Sequence, residues 1–289
     1  MEAVKDWLSL RLVAEMPWLW AGLAAYAVAT WTALEGLRLR AAGAMPAVGM
    51  REARVLLWLL LGVALLTGAL AQRWVRIGHG PFVNLFELLV SQLWSLGLIY
   101  ALVYWRFPQL RPTAVVVLPI LWILGLWVLM LEPEAVPYPP TYHNDWLWAH
   151  VGFGKVFLGF ALVGTGLAGL ILARAHPRLA PWLRRLPPDE VLDNLAWRFM
   201  LLAFVFDSLM LIAGAVWAQD AWGRYWSWDA LETSSFLTWL ALGGALHARL
   251  AYRVPLRLGA AFIVTVFVLA FLTYFGTPFY SQAAHKGII

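Results

Sequence analysis

The sequence predicts an all-α integral membrane protein with about eight transmembrane helices and both termini on the extracytoplasmic side. Three observations lead to this fold class: a very high apolar content, a series of long apolar segments, and an unequal distribution of basic residues. Of the 289 residues, 62% are hydrophobic and only 13% are charged. A water-soluble domain of this size could not bury that much apolar surface, so a multi-pass membrane protein is expected.

Eight segments are long and apolar enough to cross about 30 Å of hydrocarbon, which takes roughly 20 helical residues. In chain order they cover residues 16–37, 55–70, 82–105, 113–131, 150–173, 197–217, 233–248 and 258–276. The second and seventh are short, so we expect them to gain a turn at either end. Charged and apolar residues alternate in residues 1–15, which predicts a helix lying on the membrane surface. Because no room remains for a soluble domain, residues 1–289 are predicted to form a single polytopic membrane domain.

The distribution of lysine and arginine predicts the orientation of these segments. One set of connections holds fourteen arginines, whereas the opposite set, with both termini, holds six basic residues. Those six are Lys5, Arg11, Arg73, Arg76, Arg224 and Lys286. Basic connections remain in the cytoplasm, so we place the second set on the outer face of the inner (plasma) membrane. The net charge of +5 therefore reflects membrane anchors and not a nucleic-acid partner. The absence of cysteine excludes disulfides, thiolate metal sites and cysteine nucleophiles within the chain.

Residues 218–232 form an unusual connection between the sixth and seventh segments, on the predicted outer side. Its aromatic residues are Trp222, Tyr225, Trp226 and Trp228, and its charged residues include Arg224 and Asp229. Flat aromatic faces with charges at their edges suit a large planar amphiphile. The alternative is an ordinary aromatic belt, because indole rings favour the lipid headgroup region.

Three histidines are candidate ligands. His150 opens the fifth segment and His285 follows the last segment, so both lie on the predicted outer side. Two neutral imidazoles on opposite faces of a porphyrin are a common axial pair for haem iron, and Arg224 could pair with a carboxylate. The alternative is that both are amphipathic residues at a water boundary. His247 lies in the inner part of the seventh segment, where it either holds a ligand deeper in the bilayer or bonds to a neighbouring helix.

Three acidic or basic residues fall inside or at the edge of apolar segments. Asp207 is predicted to be a buried ionisable group, either protonated or paired with His247 or a hydroxyl. Lys155, one turn below His150, either extends outward to water or neutralises a ligand carboxylate. Glu87 is expected to be an acid in a first helical turn, where the helix dipole favours it.

Several motifs together resemble the WWD haem-handling proteins, and among them the CcsA (ResC) proteins of the system II cytochrome c synthetase. The motifs are Leu192-Asp-Asn-Leu195, Gly214-Ala-Val-Trp217-Ala, the Trp-rich connection, Gly78-His79 with Asn84-Leu-Phe-Glu87, and Thr238-Trp239 with Leu246-His247. The resemblance extends from the second segment to the C-terminus. It implies that His150 and His285 are outer axial ligands of haem iron and that His247 is an intramembrane haem ligand. It also implies an outer haem site lined by Trp222, Trp226, Trp228 and Asp229. Arg224 and Tyr225 of the same connection are further candidate residues for binding the haem.

The resemblance implies a haem lyase component that moves haem b across the membrane and presents it for thioether attachment to the Cys-x-x-Cys-His segment of apocytochrome c. It further implies a CcsB-type membrane partner. Three alternatives remain open at this point: a module that delivers unattached haem, a HemX-like regulator without ligase activity, and a membrane subunit that binds a quinone.

Overall fold

The computed structural model describes residues 14–280, and every regular element among them is helical. Eight long helices occupy the eight predicted segments. They are α1 (Met16–Ala42), α2 (Met45–Ile77), α3 (Leu85–Arg106), α4 (Ala114–Val128), α5 (Asp145–Arg174), α6 (Asp189–Trp222), α7 (Ala230–Ala251) and α8 (Leu256–Phe271). A 3₁₀ turn, Pro108–Thr113, leads into α4, and a π-helical turn, Leu272–Gly276, continues α8. Of the predicted interfacial helix in residues 1–15, only residues 14 and 15 are described. The candidate ligand His285 lies outside the described residues.

Most of the helices are longer than the apolar segments that predicted them. The second helix extends over 33 residues, against 16 in the predicted segment, and the sixth extends over 34. At about 1.5 Å per residue such helices exceed the ~30 Å thickness of the hydrocarbon, so their charged ends extend beyond it. Arg73 and Arg76, which the sequence analysis placed in a connection, are therefore part of the last turns of α2.

Six helical stretches are long and apolar enough to cross a membrane. They comprise α2, α3, α4 with its 3₁₀ turn, α5, α6, and α8 with its π-helical turn. The helices α1 and α7 form as predicted but are not among the six. Tryptophans interrupt the apolar sequence of α1, while hydroxyl residues, glycines and a histidine interrupt that of α7. The protein is thus a multi-pass membrane protein, and the number of eight crossings and the orientation of its termini stay predictions.

The helices form two compact units that divide after Tyr138. In the first unit, α1 packs along α2, and α3 and α4 complete the bundle. Glycines allow the close approach: a Cβ at Gly62 would lie 2.3 Å from the ring of Tyr26. Small residues at helix contacts are typical of membrane bundles, where packing replaces the hydrophobic effect.

In the second unit, α5 packs along most of α6, and α7 and α8 pack against this pair. One face of α6 is buried along its whole length, from Asp193 through Asp207 to Trp217. That face of α6 contacts the first turns of α5, where His150 lies. The packing of α5 on α6 therefore positions the candidate ligand.

Candidate functional site

The Trp-rich connection is a short loop held at both ends by helix caps. Helix α6 ends at Trp222, and Gly223 follows with a φ of +75°, a left-handed conformation that glycine adopts without strain. At the other end, Asp229 caps α7 by accepting a hydrogen bond from the Glu232 N–H at 2.8 Å. The Glu232 carboxylate turns back and accepts from the backbone N–H and hydroxyl of Ser227 at 2.6 and 3.1 Å. These bonds define the path of the loop.

The aromatic residues of this loop differ in exposure. Tyr225 and Trp228 are 61% and 67% exposed, so their rings are available at the surface. Trp226 is only partly exposed, and its indole N–H is buried with no hydrogen-bond acceptor among the described residues. Arg224 is exposed and pairs with no described acid. The loop thus presents ring faces, a guanidinium group and an unused N–H donor.

A column of aromatic rings runs from this loop along α7. Trp226 and Trp228 lie 5.7 Å apart, and Phe236 contacts both from the next turn of the helix. Phe236 stacks on Trp239 at 5.9 Å, and Trp239 stacks on Phe204 of α6 at 5.4 Å. Edge-to-face and stacked pairs of this kind stabilise the arrangement beyond their buried area. Phe204 and Phe236 were not among the residues that the sequence predicted for the site.

His150 is held in one orientation against α6. Its Nδ1 atom lies 2.9 Å from the carbonyl oxygen of Met210. A carbonyl only accepts, so Nδ1 carries a proton, and in the neutral imidazole the lone pair is then on Nε2. The ring fits over Gly214, where a Cβ would lie only 2.6 Å from Nδ1. Gly214 is therefore required for this position of the ring.

Trp217 connects His150 with the Trp-rich loop. The imidazole stacks on the Trp217 ring at 6.0 Å with an interplanar angle of 27°, and Trp217 contacts Trp222 at 4.9 Å. The indole N–H of Trp217 donates to the Thr141 carbonyl at 2.9 Å, which fixes the ring. The structure thus brings His150 to the Trp222 end of the loop. Gly214 and Trp217 belong to one motif of the sequence, but nothing in that motif linked them to His150.

Beneath His150 lies a buried polar cluster. The Asp207 side chain is 1% exposed, and its Oδ2 atom has no hydrogen-bond partner among the described residues. No bond joins it to His247, so that predicted pairing is wrong. Tyr274 donates its hydroxyl to the Met210 Sδ atom at 2.5 Å, against Gly154 of α5. Lys155 follows on α5 and is partly buried.

His247 lies apart from this cluster. It is exposed near the end of α7, and its ring contacts that of Tyr252 at 6.5 Å. No described contact links it with the Trp-rich loop. The separate inner position of His247 stays a prediction.

The first unit contains a buried ionic cluster that the sequence analysis missed. Arg73 donates five hydrogen bonds: to the carboxylates of Glu87 and Glu15 at 2.7–3.0 Å, and to the carbonyls of Pro133 and Glu134 at 2.9 and 2.7 Å. All five N–H donors of its guanidinium group are thus used. Glu87 lies in the first turn of α3, as predicted, but it is also fully buried in this cluster. The cluster fixes the connection after α4 to the ends of α2 and α3.

Glu15 belongs to the same cluster. Burial acts to raise the pKa of its carboxyl group, but hydrogen bonds from Arg76 and Arg73 outweigh this effect and hold the pKa below its ordinary value of 4.5. The Arg76 Nη2 atom lies 2.5 Å from Glu15 Oε1. Glu15 is therefore ionised in the folded protein at neutral pH.

Comparison with known proteins places these features in a family. The sequence profile described as "Cytochrome C assembly protein" matches residues 82–285, which contain the Trp-rich loop and all three candidate histidines. A cytochrome c biogenesis protein CcsA of Guillardia theta is 30% identical over 251 residues, covering 78% of this chain and 83% of that protein. CcsA of Gloeobacter violaceus is also 30% identical, with the same shares of both chains covered.

A solved structure, named cytochrome c heme lyase CcmF, has a similar fold. It superposes with a TM-score of 0.63 at 18% identity, over 89% of this chain. The chain described here spans less than half of that protein, 46%. This similarity concerns the fold alone, whereas the sequence matches define the relationship: the chain belongs to the cytochrome c assembly protein family and is a CcsA-type cytochrome c biogenesis protein.

Proposed function

We propose that this chain is the haem-handling subunit of a system II cytochrome c synthetase in the inner (plasma) membrane, acting with a CcsB-type partner. Haem b is its cargo, and apocytochrome c is the acceptor. Membership of the cytochrome c assembly family supports a role in cytochrome c maturation. The residues around His150 support haem as the molecule that is handled.

The observation that carries this proposal is the orientation of His150. With the proton bonded to the Met210 carbonyl through Nδ1, the lone pair resides on Nε2, the nitrogen that would coordinate iron. Haem-ligating histidines commonly donate their other N–H in this way, which fixes the ring and makes the ligand more basic. The same ring is joined through Trp217 to the Trp-rich loop, so one imidazole and one aromatic surface share a site.

The loop residues fit the periphery of a porphyrin. Exposed Trp228 and Tyr225 offer flat apolar faces, and Arg224 offers a guanidinium group for a propionate. The buried N–H of Trp226 offers a further donor. In this proposal, His285 provides the second axial imidazole, and Trp222 and Asp229 complete the edge of the site.

The attachment reaction requires no nucleophile from this chain, which has no cysteine. Each thiol of the Cys-x-x-Cys-His segment adds across one vinyl double bond. A carbon–sulfur bond forms at the inner vinyl carbon, and the thiol hydrogen ends on the terminal carbon, so nothing leaves. The protein residues therefore act by positioning: the indole faces hold the ring plane, while Arg224 and the imidazoles set its rotation and depth.

His247 is proposed as an earlier position on the route of haem towards the outer side. It is exposed near the end of α7, which the basic-residue distribution predicts to be the inner side, and an imidazole within the membrane there is costly unless it is used. Asp207 and Lys155 receive no role in attachment under this proposal.

The test is to purify the full chain with its partner and record the absorption spectrum with and without added imidazole. We expect a low-spin bis-imidazole spectrum, loss of outer-site haem in His150→Ala and His285→Ala, and its partial restoration by imidazole. His247→Ala should lose the inner population. The control is His176→Ala, an exposed histidine in the α5–α6 connection.

Co-expression with an apocytochrome separates the proposal from its alternatives. Thioether formation that depends on His150 supports the synthetase. Bound haem without thioether formation would indicate a delivery module or a HemX-like regulator. Absence of a Soret band in every preparation would refute haem handling and favour a quinone site.

A further inference from the structure

A cavity opens in the first unit between α1, α2 and the 3₁₀ turn that leads into α4. It is a small, open depression with a cavity volume of about 30 Å³. Its polar wall contains Arg40, Arg51, Arg111 and Glu52, and its apolar wall includes Ala33 and Val55. The cavity thus has one strongly basic side and one hydrocarbon side.

The basic side retains positive charge after its own ion pairs are formed. Glu52 accepts from Arg40 at 2.6 Å and from Arg111 at 3.0 Å, so one carboxylate faces two guanidinium groups. Arg51 is 3.9 Å from the nearest acid, Glu35. Three arginines against these two acids leave a charge of +1 beside the cavity. Each guanidinium group has five N–H donors, so donors remain for an anionic ligand.

The arginines of this cavity lie near helix ends, and the distribution of basic residues predicts that such ends face the headgroup region. Helix α1 ends at Ala42, α2 begins at Met45, and the 3₁₀ turn begins at Pro108, so the arginines lie where three helical elements reach their ends. The apolar lining residues come from both α1 and α2, for example Ala33 and Val55. The connections at this end belong to the arginine-rich set, which is predicted to be cytoplasmic.

We propose that this cavity binds the phosphate headgroup of an anionic phospholipid. Basic pockets between transmembrane helices at the cytoplasmic boundary recognise such headgroups, and arginine matches phosphate through paired N–H bonds. The apolar residues beside the depression would contact the acyl end of a lipid seated at its mouth, a part that inorganic phosphate lacks. A phospholipid headgroup and free inorganic phosphate both present a phosphate group to the arginines. The apolar wall favours the phospholipid as the ligand.

The experiment uses the full chain, purified in detergent and stripped of lipid. Phosphatidylglycerol, phosphatidylcholine and inorganic phosphate are added separately, and binding is followed by native mass spectrometry and by the shift in melting temperature. We expect retained phosphatidylglycerol and a raised melting temperature, with no effect of the other two. Arg51→Gln should weaken phosphatidylglycerol binding by roughly tenfold, the effect of one charge-assisted contact. Arg178→Gln, an exposed arginine between α5 and α6, is the matched control and should bind like the wild type.

A second variant tests the cavity itself. Ala33→Leu fills the apolar side but keeps all three arginines, so it should also weaken phosphatidylglycerol binding if a lipid occupies the cavity. If inorganic phosphate raised the melting temperature as much as phosphatidylglycerol, the site would bind a free anion and not a lipid. Equal binding by Ala33→Leu and the wild type, or by Arg51→Gln and Arg178→Gln, would overturn the site altogether. None of these measurements involves haem, so their outcome does not depend on whether the proposed function is correct.

Discussion

The position of the His150 imidazole depends on the absence of a side chain at residue 214, and Gly214→Ala tests this directly. The added Cβ would lie 2.6 Å from Nδ1 and 2.9 Å from Cε1 of the imidazole. Ordinary van der Waals contact begins near 3.4 Å, so the ring must move by about 0.8 Å or rotate away. Either movement disrupts the bond to the Met210 carbonyl and the stacking on Trp217.

The expected cost follows from the interactions lost. One hydrogen bond contributes about 0.5–1.5 kcal/mol, which lowers haem affinity roughly 2- to 13-fold. A ligand misplaced by about 1 Å can reduce a positioned reaction by about 100-fold, so attachment should fall more than binding. Haem titration of purified protein measures the first effect, and thioether yield on co-expressed apocytochrome measures the second. Added imidazole should restore part of the low-spin spectrum.

The matched control is Gly152→Ala, two residues after His150 on the same helix. A Cβ at this position meets nothing within 4 Å, so the same chemical change should leave haem binding and attachment unaltered. If Gly214→Ala behaved like Gly152→Ala in both assays, the argument that His150 must lie over Gly214 to bind iron would be wrong.

Three further predictions concern the supports of the fold and the loop. Arg73→Met leaves the fully buried Glu87 without its counter-ion and should lower the free energy of unfolding by about 3–5 kcal/mol in a denaturant titration; an unchanged midpoint would contradict the cluster. Because the pKa of Glu15 is held below 4.5, its contribution to stability is present above that pH and lost as the pH falls through the folded pKa, so Glu15→Gln should flatten the acid limb of a melting-temperature profile. Glu232→Ala removes the acceptor of the Ser227 bonds and frees the backbone of the Trp-rich loop. The loss of about one hydrogen bond or more should reduce haem retention several-fold, whereas Glu190→Ala at the start of α6 should leave haem retention unchanged.

Local sequence was sufficient for the helices and for several of their ends. The apolar segments correctly located all eight long helices, because the hydrocarbon requires long runs of apolar residues. The caps at Asn84 and Asp229 act within three residues of their positions, so their sequence neighbours specify them. Helix lengths were underestimated because charged residues continue a helix beyond the apolar core, as Arg73 does in α2.

The tertiary structure alone decided which residues from different helices meet. The sequence identified the Trp-rich connection and His150 as chemically unusual, but it did not join them through Trp217 or seat the imidazole on Gly214, 64 positions away. It assigned Arg73 to a connection, whereas the fold buries that residue between Glu15 and Glu87. The physical reason is that propensity and capping act over one or two turns, while contacts between helices depend on which faces pack. A buried charge is recognised as stabilising only when its distant partners are in place.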